Sequence, residues 1–287
     1  MPELPEVEII KEGLEKEIVG KTIKEFKISL QKTFSGNRSD LIGKKALSVR
    51  RRGKIIILSL SGALKIIIHL KMTGQLVFDP AKKGNKGLEK RIAGGHPSRD
   101  WVADLPNKHT RAIFSFRDGG ILYFNDLRKF GYIKCYKEGL IPEIESIGID
   151  ALDEQFSAKY LLEKSQGKSI EVKKFIMDQG IVAGVGNIYS DEALFCAGIS
   201  PKRKVNKVLP GEFKRLVGCI KQVLKKGIKY GGSSYRNYVN SSGGKGKMQD
   251  HLNVYGRGGK ECFKCGNEIV RTKIGGRSGC FCPTCQK

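Results

Sequence analysis

Four cysteines near the end of the chain constrain its fold more than any other feature. Cys262-x-x-Cys265 is followed, sixteen residues on, by Cys282-x-x-Cys285. Each close pair can offer two sulfurs to one ion. Two such pairs make the tetrahedron of thiolates in which zinc is held. Four thiolates leave no open position for water, so the spacing predicts one structural zinc ion per chain. The stretch between the pairs is long enough for a hairpin and carries Arg271, Lys273 and Arg277. Cys280 stands close by as a competing ligand, although it breaks the paired spacing. Cys135, Cys196 and Cys219 fall at apolar positions and are expected to be core thiols.

Ahead of this module the hydrophobic period changes once. Residues 22–28, 46–50, 54–60, 64–70, 110–116, 120–124 and 131–136 read as short strands, with a hairpin turn at Asp118-Gly119. Strands at that spacing, with no helices between them, predict an antiparallel sandwich. The Lys-, Gly- and Pro-rich stretch 79–107 reads as a long mobile loop. Near residue 140 the pattern becomes helical, with helices expected over 158–164, 170–177 and 187–197. A long amphipathic helix runs through Phe213, Leu216, Ile220, Leu224 and Ile228. A Gly/Ser-rich loop then spans 231–246. The domain boundaries implied are 1–138, 139–246 and 247–287. At 287 residues the chain is long enough for such a division.

Charge narrows the partner. Lys and Arg number 53 against 29 Asp and Glu, a net charge of +24 spread along the whole chain. A polyanion against a folded surface is the partner this implies. The sequence holds no apolar run of membrane-spanning length. Its start is acidic, where a signal peptide is basic and then apolar. The expectation is a soluble cytoplasmic protein with no membrane association.

The start reads Pro2-Glu3-Leu4-Pro5-Glu6-Val7-Glu8. With Met1 removed, Pro2 presents a terminal secondary amine. An α-amino group titrates near ~8, so a useful share is an unprotonated nucleophile at neutral pH. Such an amine can form a Schiff base at a carbonyl or a sugar C1′, and neighbouring carboxylates can move protons for it. Apolar residues at Val7, Ile10, Leu14 and Ile18 predict a helix that stops near Gly20 and holds the amine at its head.

Four further stretches are weak taken singly. Gly184-Val185-Gly186-Asn187 suits a phosphate at a helix start, with Asn187 as the cap, and equally suits an ordinary interhelical turn. Arg51-Arg52-Gly53-Lys54 suits phosphate contact or acid–base work, and alone reads as a solvated basic edge. His69-Leu70-Lys71-Met72-Thr73-Gly74 places Met72 at a turn tip, where an apolar wedge between bases would sit. Asp126-Leu127-Arg128-Lys129-Phe130-Gly131 presents an arginine and an aromatic in the same manner. His109 and Lys168 pass alone as surface residues.

Taken together, PELPEVE, RRGK, HLKMTG, DLRKFG, GVGNIYSDEALF and the terminal CPTCQK, in this order from residue 2 to residue 287, resemble the formamidopyrimidine-DNA glycosylase family. The resemblance implies an α+β multidomain fold: an N-terminal antiparallel β-sandwich with an N-terminal helix, a helix–two-turn–helix domain and a C-terminal zinc finger. It implies base-excision repair of oxidised purines in duplex DNA by a monomer, nucleoid-associated in a bacterium. Pro2 would attack C1′ and Glu3 would donate the proton. Lys54 would contact phosphate and assist β-elimination, and Arg277 would hold the lesion's phosphates and serve in δ-elimination. Met72, Arg128 and Phe130 match residues that fill the gap left by the everted nucleotide. His69, His109, Lys168 and Asn187 match backbone contacts, and Glu6 is similar to a supporting carboxylate. The chain departs from the pattern at Leu127 and Lys129, where the family usually has Pro and Arg. Leu4 favours the purine branch over the endonuclease VIII branch, which acts on oxidised pyrimidines. A catalytically silent binder of damaged DNA is the third reading.

Overall fold

The computed structural model describes residues 1–80, 92–95, 105–137, 139–233 and 246–287, with backbone alone at 92–95. The chain forms two compact units: Met1–Ile141 with Tyr230–Lys247, and Pro142–Lys229 with Met248–Lys287.

The first unit opens with helix α1, Leu4–Ile18, whose Val7, Ile10, Leu14 and Ile18 are buried in the main core. Pro5 suits its first turn, where an amide hydrogen has no helical partner. Ten strands follow: β1 Ile23–Ile28, β2 Phe34–Ser35, β3 Ala46–Arg52, β4 Ile55–Leu60, β5 Leu64–His69, β6 Gly74–Asp79, β7 Ile92–Gly95, β8 Thr110–Phe116, β9 Ile121–Asp126 and β10 Tyr132–Tyr136. They build two five-stranded sheets, β1-β8-β9-β6-β7 and β2-β10-β5-β4-β3. Alternating apolar positions explain the layering. Ile56, Leu58, Leu60, Ile66 and Ile68 of one sheet and Leu76, Phe78, Phe114, Phe116 and Phe124 of the other share one core. The expected antiparallel sandwich therefore stands, with one parallel pair, β10 on β2.

The stretch 79–107, expected to be loop throughout, contains β7, which pairs antiparallel with β6. The sequence hid it because Ile92-Ala93-Gly94-Gly95 lacks the β-branched run that marks a strand. The rest of that stretch from 81 to 91 and from 96 to 104, and most of the Gly/Ser-rich loop (234–245), lie outside the described residues.

In the second unit the helices are α2 Pro142–Glu145, α3 Ala158–Ser165, α4 Val172–Met177, α5 Asn187–Ala197 and α6 Pro210–Lys229. Two short strands, β11 Ile149–Asp150 and β12 Val182–Ala183, pair in parallel. Ser157 caps α3 by accepting the Tyr160 N–H, and Phe213, Leu216, Ile220 and Leu224 bury the inner face of α6. The hairpin of β13 Val270–Ile274 and β14 Arg277–Phe281 ends the chain's regular structure. Among the described residues no helix is long and apolar enough to cross a membrane.

Two local expectations are corrected. Gly186, not Asn187, is the N-cap residue of α5; Asn187 is its first helical residue. Cys196 and Cys219 are joined in a disulfide between α5 and α6 rather than lying as separate core thiols. Their apolar spacing hid the pairing, because cysteine fits a helical seam whether or not it is bridged. Cys135 does pack against the sandwich core, and burial pushes its thiol up.

Candidate active site and nucleic-acid interface

The head of α1 is held in place by a carboxylate. Pro2, Glu3 and Glu6 are all buried. One oxygen of Glu6 accepts the Glu3 N–H at 2.8 Å, and the other accepts the Ser233 N–H at 2.9 Å. Glu6 thereby fixes the residue next to Pro2 to the segment that leaves α6. A terminal residue normally frays, and two charge-assisted hydrogen bonds oppose that. With Met1 in place the Pro2 nitrogen is an amide, so nucleophilic chemistry there requires its removal.

Lys54 follows a turn that α1 helps to order. Glu8 of α1 pairs with Arg51 at 2.6 Å, and Arg51 donates to the Gly53 carbonyl at 3.0 Å. Gly53 has a φ of +58°, a conformation glycine adopts without a Cβ penalty. Lys54 emerges from this turn buried, immediately before β4, and Ile55 pairs with His69 at the end of β5. His69 accepts the Lys71 N–H on Nδ1 at 3.0 Å, which leaves the ring proton on Nε2 as a donor. Burial, with Lys71 and Lys54 nearby, drives its pKa down to about 3, so the ring is neutral at physiological pH.

Two turn tips lie together, and the residue joining them is Asp126. It is buried at the end of β9 and receives the Arg128 N–H at 3.1 Å, the Gly131 N–H at 2.7 Å and the Thr73 hydroxyl. The Arg128 N–H also reaches Thr73 Oγ1 at 2.9 Å. The turn bearing Met72 and the turn bearing Arg128 and Phe130 are thereby clamped side by side. The Arg128 guanidinium lies 5.0 Å from the Phe130 ring centre. Phe130 is 54% exposed and Met72 36%, which is unusual for such apolar side chains at neighbouring tips. Gly131 is required: a Cβ there would stand 2.7 Å from the Phe124 ring. The His109 carbonyl accepts the Asp126 N–H at 2.9 Å, which sets His109 beside the same clamp. Burial and the neighbouring Lys108 and Arg111 also lower the His109 pKa.

The second unit holds the other candidates. Lys168 is exposed in the turn after α3. Asn187 begins α5, after a loop organised by Gln179, which accepts the Gly184 N–H at 3.0 Å and donates to the Val185 carbonyl at 2.8 Å. Asn187 Oδ1 is buried and accepts no hydrogen bond from the described residues. Arg277 is exposed at the start of β14.

Two acidic residues escaped the sequence reading, although both lie inside GVGNIYSDEALF. Asp191 forms a fully buried ion pair with Lys173 at 2.7 Å and accepts the Cys280 N–H at 2.9 Å. Lys173 donates also to the Ser278 carbonyl at 2.8 Å. This pair grips β14 one to three residues beyond Arg277. Glu192 accepts the N–H groups of Asn253, Val254 and Tyr255 at 2.8–3.0 Å. The signal available was two adjacent acids in an otherwise apolar helix.

The four cysteine sulfurs lie within 4.8 Å of one another, at 3.9 Å for Cys262–Cys285 and 3.5 Å for Cys265–Cys282. Four sulfurs ~2.3 Å from a zinc ion stand about 3.8 Å apart in a tetrahedron, so the cluster fits one zinc. The Lys264 and Cys285 N–H groups point at Cys262 and Cys282 sulfurs, the expected support for thiolates. Cys280 lies outside the cluster, its N–H committed to Asp191.

Comparison with known proteins agrees with this arrangement. Residues 1–133 match the formamidopyrimidine-DNA glycosylase N-terminal domain, 147–239 its H2TH domain and 259–287 the zinc finger found in FPG and IleRS. The chain belongs to the formamidopyrimidine-DNA glycosylase family. Relatives named formamidopyrimidine-DNA glycosylase include that of Carboxydothermus hydrogenoformans, 38% identical across the full length of both chains. That of Desulfitobacterium hafniense is 37% identical, again across both chains. A Lactococcus lactis FPG mutant, solved with Fapy-dG containing DNA, has 33% identity and a TM-score of 0.85 over the whole of both chains. Membership makes this chain a base-excision-repair DNA glycosylase with AP-lyase activity, carrying a helix–two-turn–helix domain and one structural zinc site.

Proposed function

We propose that this chain excises oxidised purines, 8-oxoguanine and formamidopyrimidines, from duplex DNA and cuts the strand through an imine on Pro2. The Pro2 nitrogen attacks C1′ of an everted nucleotide, and Glu3 supplies the proton for ring opening and base loss. The imine makes the C2′ proton acidic, so the 3′ phosphate and then the 5′ phosphate leave. Lys54 contacts phosphate and assists the first elimination; Arg277 holds the lesion's phosphates and serves in the second. Met72, Arg128 and Phe130 fill the gap, which offsets the few kcal/mol of eversion. His69, His109, Lys168 and Asn187 contact the backbone, the two histidines as neutral donors. Functionally the chain divides at 1–138, 139–246 and 247–287, acts as a monomer and works in the cytoplasm.

The observation that carries this reading is Glu6, which locks the head of α1 through Glu3 and Ser233. An ordered, buried terminus is what a terminal nucleophile needs and what an ordinary helix start does not. The solved Lactococcus lactis complexes include abasic-site, Fapy-dG and oxidized-pyrimidine DNA, so a second reading with some pyrimidine excision is retained.

Borohydride trapping on a duplex with one 8-oxoguanine opposite cytosine tests the proposal. A covalent band mapping to Pro2 is expected, absent in Pro2→Gly and in protein that keeps Met1. An undiminished band in either form removes Pro2 as nucleophile. A band only with an oxidised pyrimidine moves the chain to the second reading.

A further inference from the structure

The disulfide between α5 and α6 has no part in the proposed repair chemistry. Cys196 lies in the last turn of α5 and Cys219 midway along α6, with Cα atoms 5.7 Å apart, inside the range a disulfide requires. The residues flanking Cys219 on the inner face of α6, Leu216 and Ile220, are fully buried, whereas Cys196 is exposed and Cys219 half-exposed. The cystine therefore sits at the rim of the helix seam, open to reagents. Arg215, one turn before Cys219, donates Nε to the Ala197 carbonyl at 3.4 Å and brings a guanidinium to the residue after Cys196. A cation beside a thiol favours the thiolate, which is the reactive form. Exposed disulfides are also the labile ones, whereas structural ones resist reduction.

We propose that Cys196 and Cys219 are a reversible redox-modification site whose oxidising substrate is hydrogen peroxide. The Cys196 thiolate, the more exposed, attacks one peroxide oxygen. The O–O bond breaks, the departing oxygen takes a proton and leaves as water, and Cys196 becomes a sulfenic acid. Cys219 attacks that sulfur, the S–O bond breaks and a second water leaves. Two thiols lose two electrons and one peroxide gains them. A dithiol reverses the step by exchange. The bridge closes a loop over a sequence separation of 23 and fixes α5 against α6. The site does not depend on the proposed glycosylase mechanism.

The test uses the full zinc-loaded chain, reduced with dithiothreitol and then treated with one equivalent of hydrogen peroxide. Thiols are capped with N-ethylmaleimide, the protein is digested, and peptides are weighed by mass spectrometry. The expected product is the 196–219 linked peptide, lost on renewed dithiothreitol, with zinc retained. Cys219→Ala should instead carry a dimedone adduct on Cys196, and the milder Cys219→Ser should do the same. Full capping of both cysteines after peroxide overturns the proposal. So does zinc release ahead of linkage, which would make the finger thiolates the reactive ones. A link that survives dithiothreitol also overturns it, since the bridge would then be permanent. Every readout is a mass, so a failure of strand cleavage leaves the result standing.

Discussion

The two units fix their working residues by different means. In the first, a sandwich core sets the strands, and turn residues ride on strand ends: Lys54 before β4, His69 at the end of β5, Asp126 at the end of β9. Carboxylates there stitch backbone to backbone: Glu6 joins Glu3 to Ser233, and Asp126 joins Arg128 to Gly131. In the second unit the β13–β14 hairpin stands on a small cluster of Val254, Ile269 and three cysteines. So little apolar surface cannot hold a hairpin, and small modules need staples. The staples are the thiolate cluster, the Lys173–Asp191 pair and Glu192. Removing a staple should therefore damage the second unit far more than removing one hydrogen bond damages the first.

Zinc gives the largest effect. Cys282→Ser, or chelation, should unfold residues 259–287, because metal binding in such modules supplies about 10 kcal/mol or more of folding free energy. Hydrogen exchange at β13 and β14 should rise to the unprotected rate while β4 and β5 stay protected. Protection retained in zinc-free protein would mean that the apolar cluster suffices.

The buried ion pair comes next. Lys173→Met leaves Asp191 buried and unpaired, at a cost of about 3–5 kcal/mol to the second unit. The double change Lys173→Met with Asp191→Leu removes both charges and should recover most of that loss. Thermal melting of the parent and both variants decides it, and a double variant as weak as the single one would show that the contacts to Ser278 and Cys280, not the charges, matter.

Breaking the clamp in the first unit should cost less. Asp126→Ala strands the Gly131 N–H and leaves the Arg128 N–H with Thr73 Oγ1 alone, a loss of about 1–3 kcal/mol. Amide exchange at those two residues should quicken, with the sheets unchanged. Excision of 8-oxoguanine should fall at least ~10-fold while cutting at a preformed abasic site falls less, because a loosened wedge weakens eversion by ~1.4 kcal/mol or more. Equal losses in both assays would separate the clamp from eversion.

This contrast also explains what the sequence revealed. Period-two and period-3.6 patterns report burial, so the sandwich strands, α1 and α6 were legible. The paired CxxC spacing was legible because zinc chemistry dictates it. β7 was not, since Gly94 and Gly95 carry no side chain to signal a strand. Asp126, Asp191 and Glu192 were not, since a carboxylate that binds backbone N–H groups looks like a surface charge in one dimension, whether its partners stand two to five residues away, as for Asp126, or 60 or more, as for Asp191 and Glu192. The Cys196–Cys219 bridge was hidden in the same way, two helical positions that only the packing of α5 on α6 brings together.

The two units should also respond to acid with opposite sign, the smallest effect expected. His69 titrates near about 3 when folded and near 6.5 when exposed. Below pH 6.5 the unfolded chain gains a proton that the folded ring refuses, so the first unit loses this stability as pH falls. Asp191, which burial raises to about 6 against the pull of Lys173, has an ordinary value of 3.8. As pH rises from 3.8 to 6 the unfolded chain releases a proton that the folded carboxyl keeps, so the second unit loses stability as pH rises across that window. Each group changes stability by up to about 1.4 kcal/mol per pH unit, so about 1–2 kcal/mol between pH 4 and 6 is expected in each direction. Other titrating groups add their own slopes, and these are removed by difference. His69→Gln should flatten the pH dependence of amide exchange in β5 relative to the parent chain. The Lys173→Met, Asp191→Leu pair should do the same for α5, with the opposite change of slope. Changes of the same sign in both units would show that burial of Asp191 is overcome by its ion pair, and that the second unit holds its charges as the first does.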